Sequence, residues 1–162
     1  MLVLNTGDVL TAGECNDWFL PRFAYKTADT SRASTTTLAN DPHLILPADA
    51  SAIYQVNCCL DYSAGTTGDF NVTFTVPSGA TLDWNGSGYS GSDAQMWNGG
   101  NPAGTAVAFG GGNASRRFVI VMGMLQVGGT AGSLTCQWAQ SASDASATIL
   151  RQYSYLRLDR VG

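Results

Sequence analysis

A single histidine, His43, stands in this chain of 162 residues, so a serine, histidine and aspartate constellation would have to use it. Asp41 is its near acid, in the same local segment, whereas a catalytic base must be oriented by one partner against a nucleophile brought from elsewhere. His43 therefore reads as a structural residue at a strand end. The acids are eleven aspartates and Glu14, scattered through turn-like segments rather than paired to work on a glycosidic bond. The run Gly86-Ser87-Gly88-Tyr89-Ser90-Gly91 spells G-x-G-x-x-G, but no helix pattern follows it and no βαβ unit surrounds it, as phosphate binding would require. Cys15, Cys58, Cys59 and Cys136 show no C-x-x-C or Cys/His spacing of a zinc site. The expectation is a chain without catalytic residues, cofactor or metal.

Recognition chemistry is the class left. Asp83, Trp84, Tyr89, Asp93 and Trp97 lie close in sequence, and aromatic faces stack on pyranose rings while carboxylates bind hydroxyls, so this group is a candidate glycan contact. Nucleic acid is not an expected partner. The chain carries a formal charge of −4, and the pairs Arg116-Arg117 and Arg157 with Arg160 are too sparse for a phosphate-binding groove. Nor is a membrane, because no apolar run approaches the ~18 residues of a spanning helix. The N-terminus lacks the basic and apolar regions of a signal peptide, which points to synthesis in the cytoplasm.

Only 12% of residues are charged, with Lys26 the one lysine and Glu14 the one glutamate, so long helices laced by Glu/Lys pairs cannot be built. Strands carry the pattern instead. Residues 54–62 alternate as Tyr54, Val56, Cys58, Leu60, Tyr62 against Gln55, Asn57, Cys59, Asp61; residues 70–76 alternate as Phe70, Val72, Phe74, Val76. Joined by the turn-rich 63–69, they predict a half-buried antiparallel hairpin. Residues 118–127, a Gly/Thr turn, and Leu134-Cys136-Trp138 predict a second. Two such units predict an all-β, jelly-roll-like antiparallel β-sandwich. Cys58 and Cys136 share the inward phase and read as buried free thiols, with a disulfide between them geometrically open if their strands adjoin.

Further strands are expected near 35–38, 43–46, 80–84, 94–97, 105–109, 146–151 and 153–161, with long loops through 85–115, where nine glycines fall. Residues 118–125 are apolar in both phases. Val119, Val121 and Leu125 are taken as the outward set and as a candidate oligomer interface.

Residues 1–33 are expected to form an N-terminal arm and linker, and residues 34–162 the sandwich. Thr11-Ala12-Gly13-Glu14 reads as a capping box, with Leu10 and Cys15 at staple positions, opening a short helix to about residue 19 before Pro21. So short a helix cannot cover Trp18 and Phe19 itself. Thr11, Glu14, Trp18 and Phe19 are thus candidate attachment residues, with packing on the chain's own sandwich as the alternative.

Several strings carry a family resemblance: Lys26 to Arg32 (KTADTSR), Ser34 to Asp41 (STTTLAND), Ala48 to Tyr54, Gly68-Asp69-Phe70, Phe74 to Ala80 (FTVPSGA), Leu156-Arg157-Leu158, and above all Gly128 to Gln140 (GGTAGSLTCQWAQ) followed by Ser143 to Thr148. Over about residues 24–161 the chain resembles a β-sandwich module of virion proteins in tailed phages of actinobacteria. More weakly, Thr6 to Trp18 resembles a short leader of small phage virion proteins. The resemblance implies a structural or adhesive role in the virion, often oligomeric, with no catalytic residues to carry over. The expected function is a capsid decoration protein, a homo-oligomer and specifically a trimer, bound to the major capsid protein or another virion protein. The alternative is a minor tail or receptor-binding protein that touches a host surface glycan.

Overall fold

The computed structural model describes residues 6–9, 11–92, 94–113 and 115–162. Leu10 and Asp93 lie outside the described residues, as do the side chains of Glu14, Trp18 and Phe19. One helix, α1 (Ala12–Phe19), precedes twelve strands: β1 (Arg22–Tyr25), β2 (Thr30–Arg32), β3 (Ala39–Ala48), β4 (Ile53–Ser63), β5 (Phe70–Thr75), β6 (Thr81–Tyr89), β7 (Gln95–Pro102), β8 (Val107–Phe109), β9 (Arg116–Gln126), β10 (Gly132–Ala139), β11 (Thr148–Leu150) and β12 (Tyr155–Arg160). They form two antiparallel sheets of a jelly-roll-like sandwich. The larger runs β1-β12-β4-β9-β6-β7, with β11 and β2 continuing from the end of β4, and the smaller runs β3-β10-β5-β8.

Neither expected hairpin exists. β4 pairs with β9 and β12 in the larger sheet while β5 pairs with β10 and β8 in the smaller, so residues 64–69 arch across the core. Residues 127–131 do the same between β9 and β10. A hairpin would put both apolar phases on one face, whereas an arch turns them toward each other, and Tyr62 and Phe70 stack across the gap with ring centroids 4.5 Å apart. Local alternation is identical in the two cases. Asp69 turns the first arch at φ 47°, and its side chain accepts the Gly111 N–H at 2.6 Å.

The core between the sheets holds Tyr54, Val56, Cys58, Leu60, Val119, Val121, Leu82, Trp84 and Leu125 from the larger sheet against Leu44, Phe70, Val72, Phe74, Leu134, Cys136 and Trp138 from the smaller. Burying each large apolar side chain is worth about 1.5–3 kcal/mol. All four cysteines are free thiols, and burial pushes Cys58 and Cys136 far from ionisation. They pack; they do not react.

Two expectations about the extent of the sandwich need correction. β1 pairs with β12 and β2 with β11, so the sandwich takes in residues 22–32 rather than beginning at 34. Residues 85–115 are not mainly loop: β6 and β7 pair through the stretch expected to be open. Glycine is needed there because a Cβ on Gly86 or Gly88 would meet the Phe109 ring at 2.6 or 2.7 Å.

A buried ion pair locks the first strand. Lys26 Nζ donates to Asp41 Oδ2 at 2.6 Å and to Thr30 Oγ1 at 2.8 Å, and both charged residues are fully buried. The Trp138 indole N–H donates to the same Asp41 oxygen at 3.2 Å, and Asp41 Oδ1 accepts the backbone N–H groups of His43 and Leu44. Every polar atom of the carboxylate is thereby satisfied, the condition for burying charge. Asp41 can turn inward because the β3–β10 register shifts between Thr135 and Gln137 and because β3 is an edge strand, where Pro42 and Pro47 are tolerated.

Candidate interaction face

The outward face of the larger sheet is the most extensive feature that the core leaves unused. Cross-strand register fixes who stands on it. Since Cys58 pairs with Val121, Leu60 with Val119 and Tyr54 with Leu125, those three residues of β9 share the buried face of β4. The expected outward set of Val119, Val121 and Leu125 is therefore inverted: all three are fully buried. β4 decides the phase, because its polar residues Gln55, Asn57 and Asp61 cannot all enter the core. Gly123 on the inward phase also fits only there, beside Trp84.

The residues that β9 turns outward are Phe118, Ile120, Met122 and Met124, each 48–51% exposed. They form a ridge flanked by two polar rows. One cross-strand line reads Tyr25, Tyr155, Cys59, Ile120, Ser87, Trp97; the next Phe23, Arg157, Asn57, Met122, Asn85; the third Asp159, Gln55, Met124, Asp83. Aromatic rings close the two sides, with Phe23 stacked on Tyr155 at 5.4 Å between centroids and Trp97 73% exposed on β7. Charge on these lines is sparse: Asp83, and Arg157 paired to Asp159 at 2.6 Å. Half-burial raises the pKa of Cys59, so its thiol stays protonated beside Ile120.

Two shallow troughs run beside the ridge. One of about 550 Å³ lies between Gln55, Asp83, Asn85, Met122 and Met124, and another of about 690 Å³ between Phe23, Gln55, Asn57, Tyr155 and Arg157. Both are open and amide-lined; the first carries the Asp83 carboxylate, and in the second Arg157 is balanced by Asp159. They suit recognition of a surface rather than enclosure of a reacting molecule.

The proposed glycan group is split by the fold. Asp83, Tyr89 and Trp97 do face outward, but Trp84 alternates inward and packs edge-on against Phe74 at 5.3 Å, fully buried. Asp83 and Trp84 are consecutive on a strand and cannot share a face. In the arm, the Thr11 carbonyl accepts the Cys15 N–H at 3.0 Å, the first bond of α1, and α1 rests against β12. Among the described residues no three His, Cys, Asp or Glu side chains gather as a metal site, and no helix is long and apolar enough to cross a membrane.

The chain matches no described protein family and no curated protein. Among solved structures it is similar to the baseplate tripod of bacteriophage Tuc2009, at 12% identity and TM-score 0.37, over 99% of this chain and 74% of that one. It is also similar to the VP2 subviral particle of infectious bursal disease virus, at 9% identity and TM-score 0.23, over 99% of this chain and 44% of that one. Likeness at this level assigns no function.

Proposed function

We propose that this chain is a virion structural protein whose sandwich assembles with copies of itself, as a capsid decoration protein bound to the head. The observation that carries the self-association is the ridge of Phe118, Ile120, Met122 and Met124, an exposed apolar line four side chains long in a sheet face with little charge. Copies of a chain with net charge −4 repel at long range, so the contact surface must be nearly neutral to close. The placement in a virion rests on the sequence resemblance over residues 24–161, which implies an oligomer, and a trimer is the form proposed for it. α1 supplies the contact to the major capsid protein through Thr11, Glu14, Trp18 and Phe19.

The test has two parts. Light scattering on the purified chain at micromolar concentration should give a mass of about three copies, and a monomer sinks the self-association reading. Quantifying the protein in purified particles should give many copies, located on heads. A few copies confined to tails would replace decoration by a minor tail role.

A further inference from the structure

The turn between β11 and β12 holds a residue whose backbone and side chain are both in costly places. Tyr153 sits at φ 73°, the left-handed region that a bulky side chain strongly disfavours. The other described non-glycine residues with positive φ are Ser34, Ser51, Asp69 and Asn113, small or side-chain-bonding types that tolerate it. Ser154 N–H donates to Arg151 O at 3.3 Å, which makes Tyr153 the third residue of a four-residue turn, where glycine or asparagine is the ordinary choice. Nothing in the core compensates, for the residue is 72% exposed.

The surroundings hold this conformation firmly. Tyr153 N–H bonds the Lys26 carbonyl at 3.0 Å, Gln152 N–H bonds Asp29 Oδ1 at 2.7 Å, and Arg151 bridges Asp29 at 3.0 Å and Ser63 at 2.7 Å. Tyr153, Gln152, Asp29, Arg151 and Arg116 then enclose a hollow of about 300 Å³, the small end of ligand-site volumes. Its charges cancel, since Arg116 is paired with Asp61 and Arg151 with Asp29. Arg151 Nε is buried with no acceptor. That atom is out of reach of a ligand, so the groups that can meet one are the Arg116 and Arg151 guanidinium nitrogens at the rim, the Asp29 carboxylate, the Gln152 amide and the Tyr153 ring.

We propose that this hollow binds a neutral pyranose. Its hydroxyls, each donor and acceptor, match the mixed guanidinium, carboxylate and amide groups, and its flat C–H face matches the exposed tyrosine ring. An anion is disfavoured because both guanidinium groups already face carboxylates. This hollow borders the ridge at Arg116, the first residue of β9, but its argument does not depend on the self-association reading.

Saturation-transfer NMR with methyl glycopyranosides of the common neutral hexoses tests a free sugar, and an array of immobilised neutral glycans tests the terminal unit of a surface polysaccharide. Signal is expected in at least one arm, lost at least tenfold in Tyr153→Gly and kept within a few-fold in Tyr153→Phe. Thermal unfolding of Tyr153→Gly adds an independent reading: the variant should melt higher than the native chain, because strain is relieved and no packing is lost. Silence of the native protein in both arms overturns the proposal, as does undiminished binding by Tyr153→Gly. A lower melting temperature for Tyr153→Gly would make the tyrosine a structural residue and overturn it equally.

Discussion

At the scale of single residues, the two charged clusters that matter most join segments far apart in sequence. Asp41 is bonded by Lys26, by the Trp138 indole and by two backbone N–H groups, all out of water. Replacing it with asparagine keeps the shape and strands the ammonium, so Asp41→Asn should cost about 3–5 kcal/mol in denaturant unfolding. A loss below about 1 kcal/mol would mean that water reaches the pair. Asp49 works differently, at the surface. Arg22 donates to it, and so do Tyr54 at 3.0 Å and Arg160 at 3.3 Å, tying β1, β4 and β12 to the end of β3. The Arg22 hydrogen bond, foremost, holds the Asp49 pKa below the ordinary carboxylate value, and the Gln152 backbone N–H does the same for Asp29. A depressed folded-state pKa gives stability that is present above the unfolded value, near ~4, and is lost as pH falls through the folded one. Unfolding free energy should therefore drop below about pH 4, and less steeply in Arg22→Gln, whose Asp49 has lost its main donor. Equal slopes would remove the clamp from the acid response. Neither cluster could be read from spacing, because Lys26, Asp41 and Trp138 meet only once two sheets close.

At the scale of elements, alternation in the sequence gives the strands and their polar phases but not their partners. The segments 54–62 and 70–76 are strands as expected, yet the link between them arches from one sheet to the other. The reason is energetic: each apolar phase needs cover, and an opposing sheet provides it where an adjacent strand does not. Among the described strands only β6 and β7 are consecutive and paired; strands were expected near 80–84 and 94–97, but the glycines hid how far they run and that they pair. β9 shows the limit most sharply. Both of its phases are apolar, so only its pairing with β4 reveals that Val121 is inside and Met122 outside. Two substitutions separate these roles. Val121→Asp places an unpaired charge in the core and should yield insoluble or unfolded protein by circular dichroism, a loss of several kcal/mol. Met122→Asp should fold with a melting temperature near the native one and elute as a monomer. A Met122→Asp protein that keeps its oligomer would move the interface off this face.

At the scale of the whole molecule, the boundary between arm and sandwich lies where β1 begins. Arg22 bonds Asp49 and the Pro47 carbonyl at 2.8 Å, Phe23 stacks on Tyr155, and Lys26 is fully buried against Asp41, so the chain from residue 22 onward packs with the folded unit. The sequence marked the helix correctly through Thr11 and Pro21, but the strand that follows is only four residues long and its pairing partner is the last strand of the chain. No local pattern reports such a contact. Deleting residues 1–20 should therefore leave the melting temperature within a few degrees of native, since α1 lies outside both sheets and rests against β12. Deleting residues 1–26 should unfold it, because β1 and the Lys26 ammonium go and Asp41 is left buried and unpaired. If the arm is the virion contact, the shorter deletion should abolish binding to undecorated capsids in a sedimentation assay, while Thr11→Ala should weaken it by about 1 kcal/mol per arm through loss of the cap. With several arms on one oligomer the deficits multiply, so the cap variant should fall by more than one arm's share. Full binding by a folded chain lacking residues 1–20 would transfer attachment to the sandwich and leave α1 as a clasp on β12.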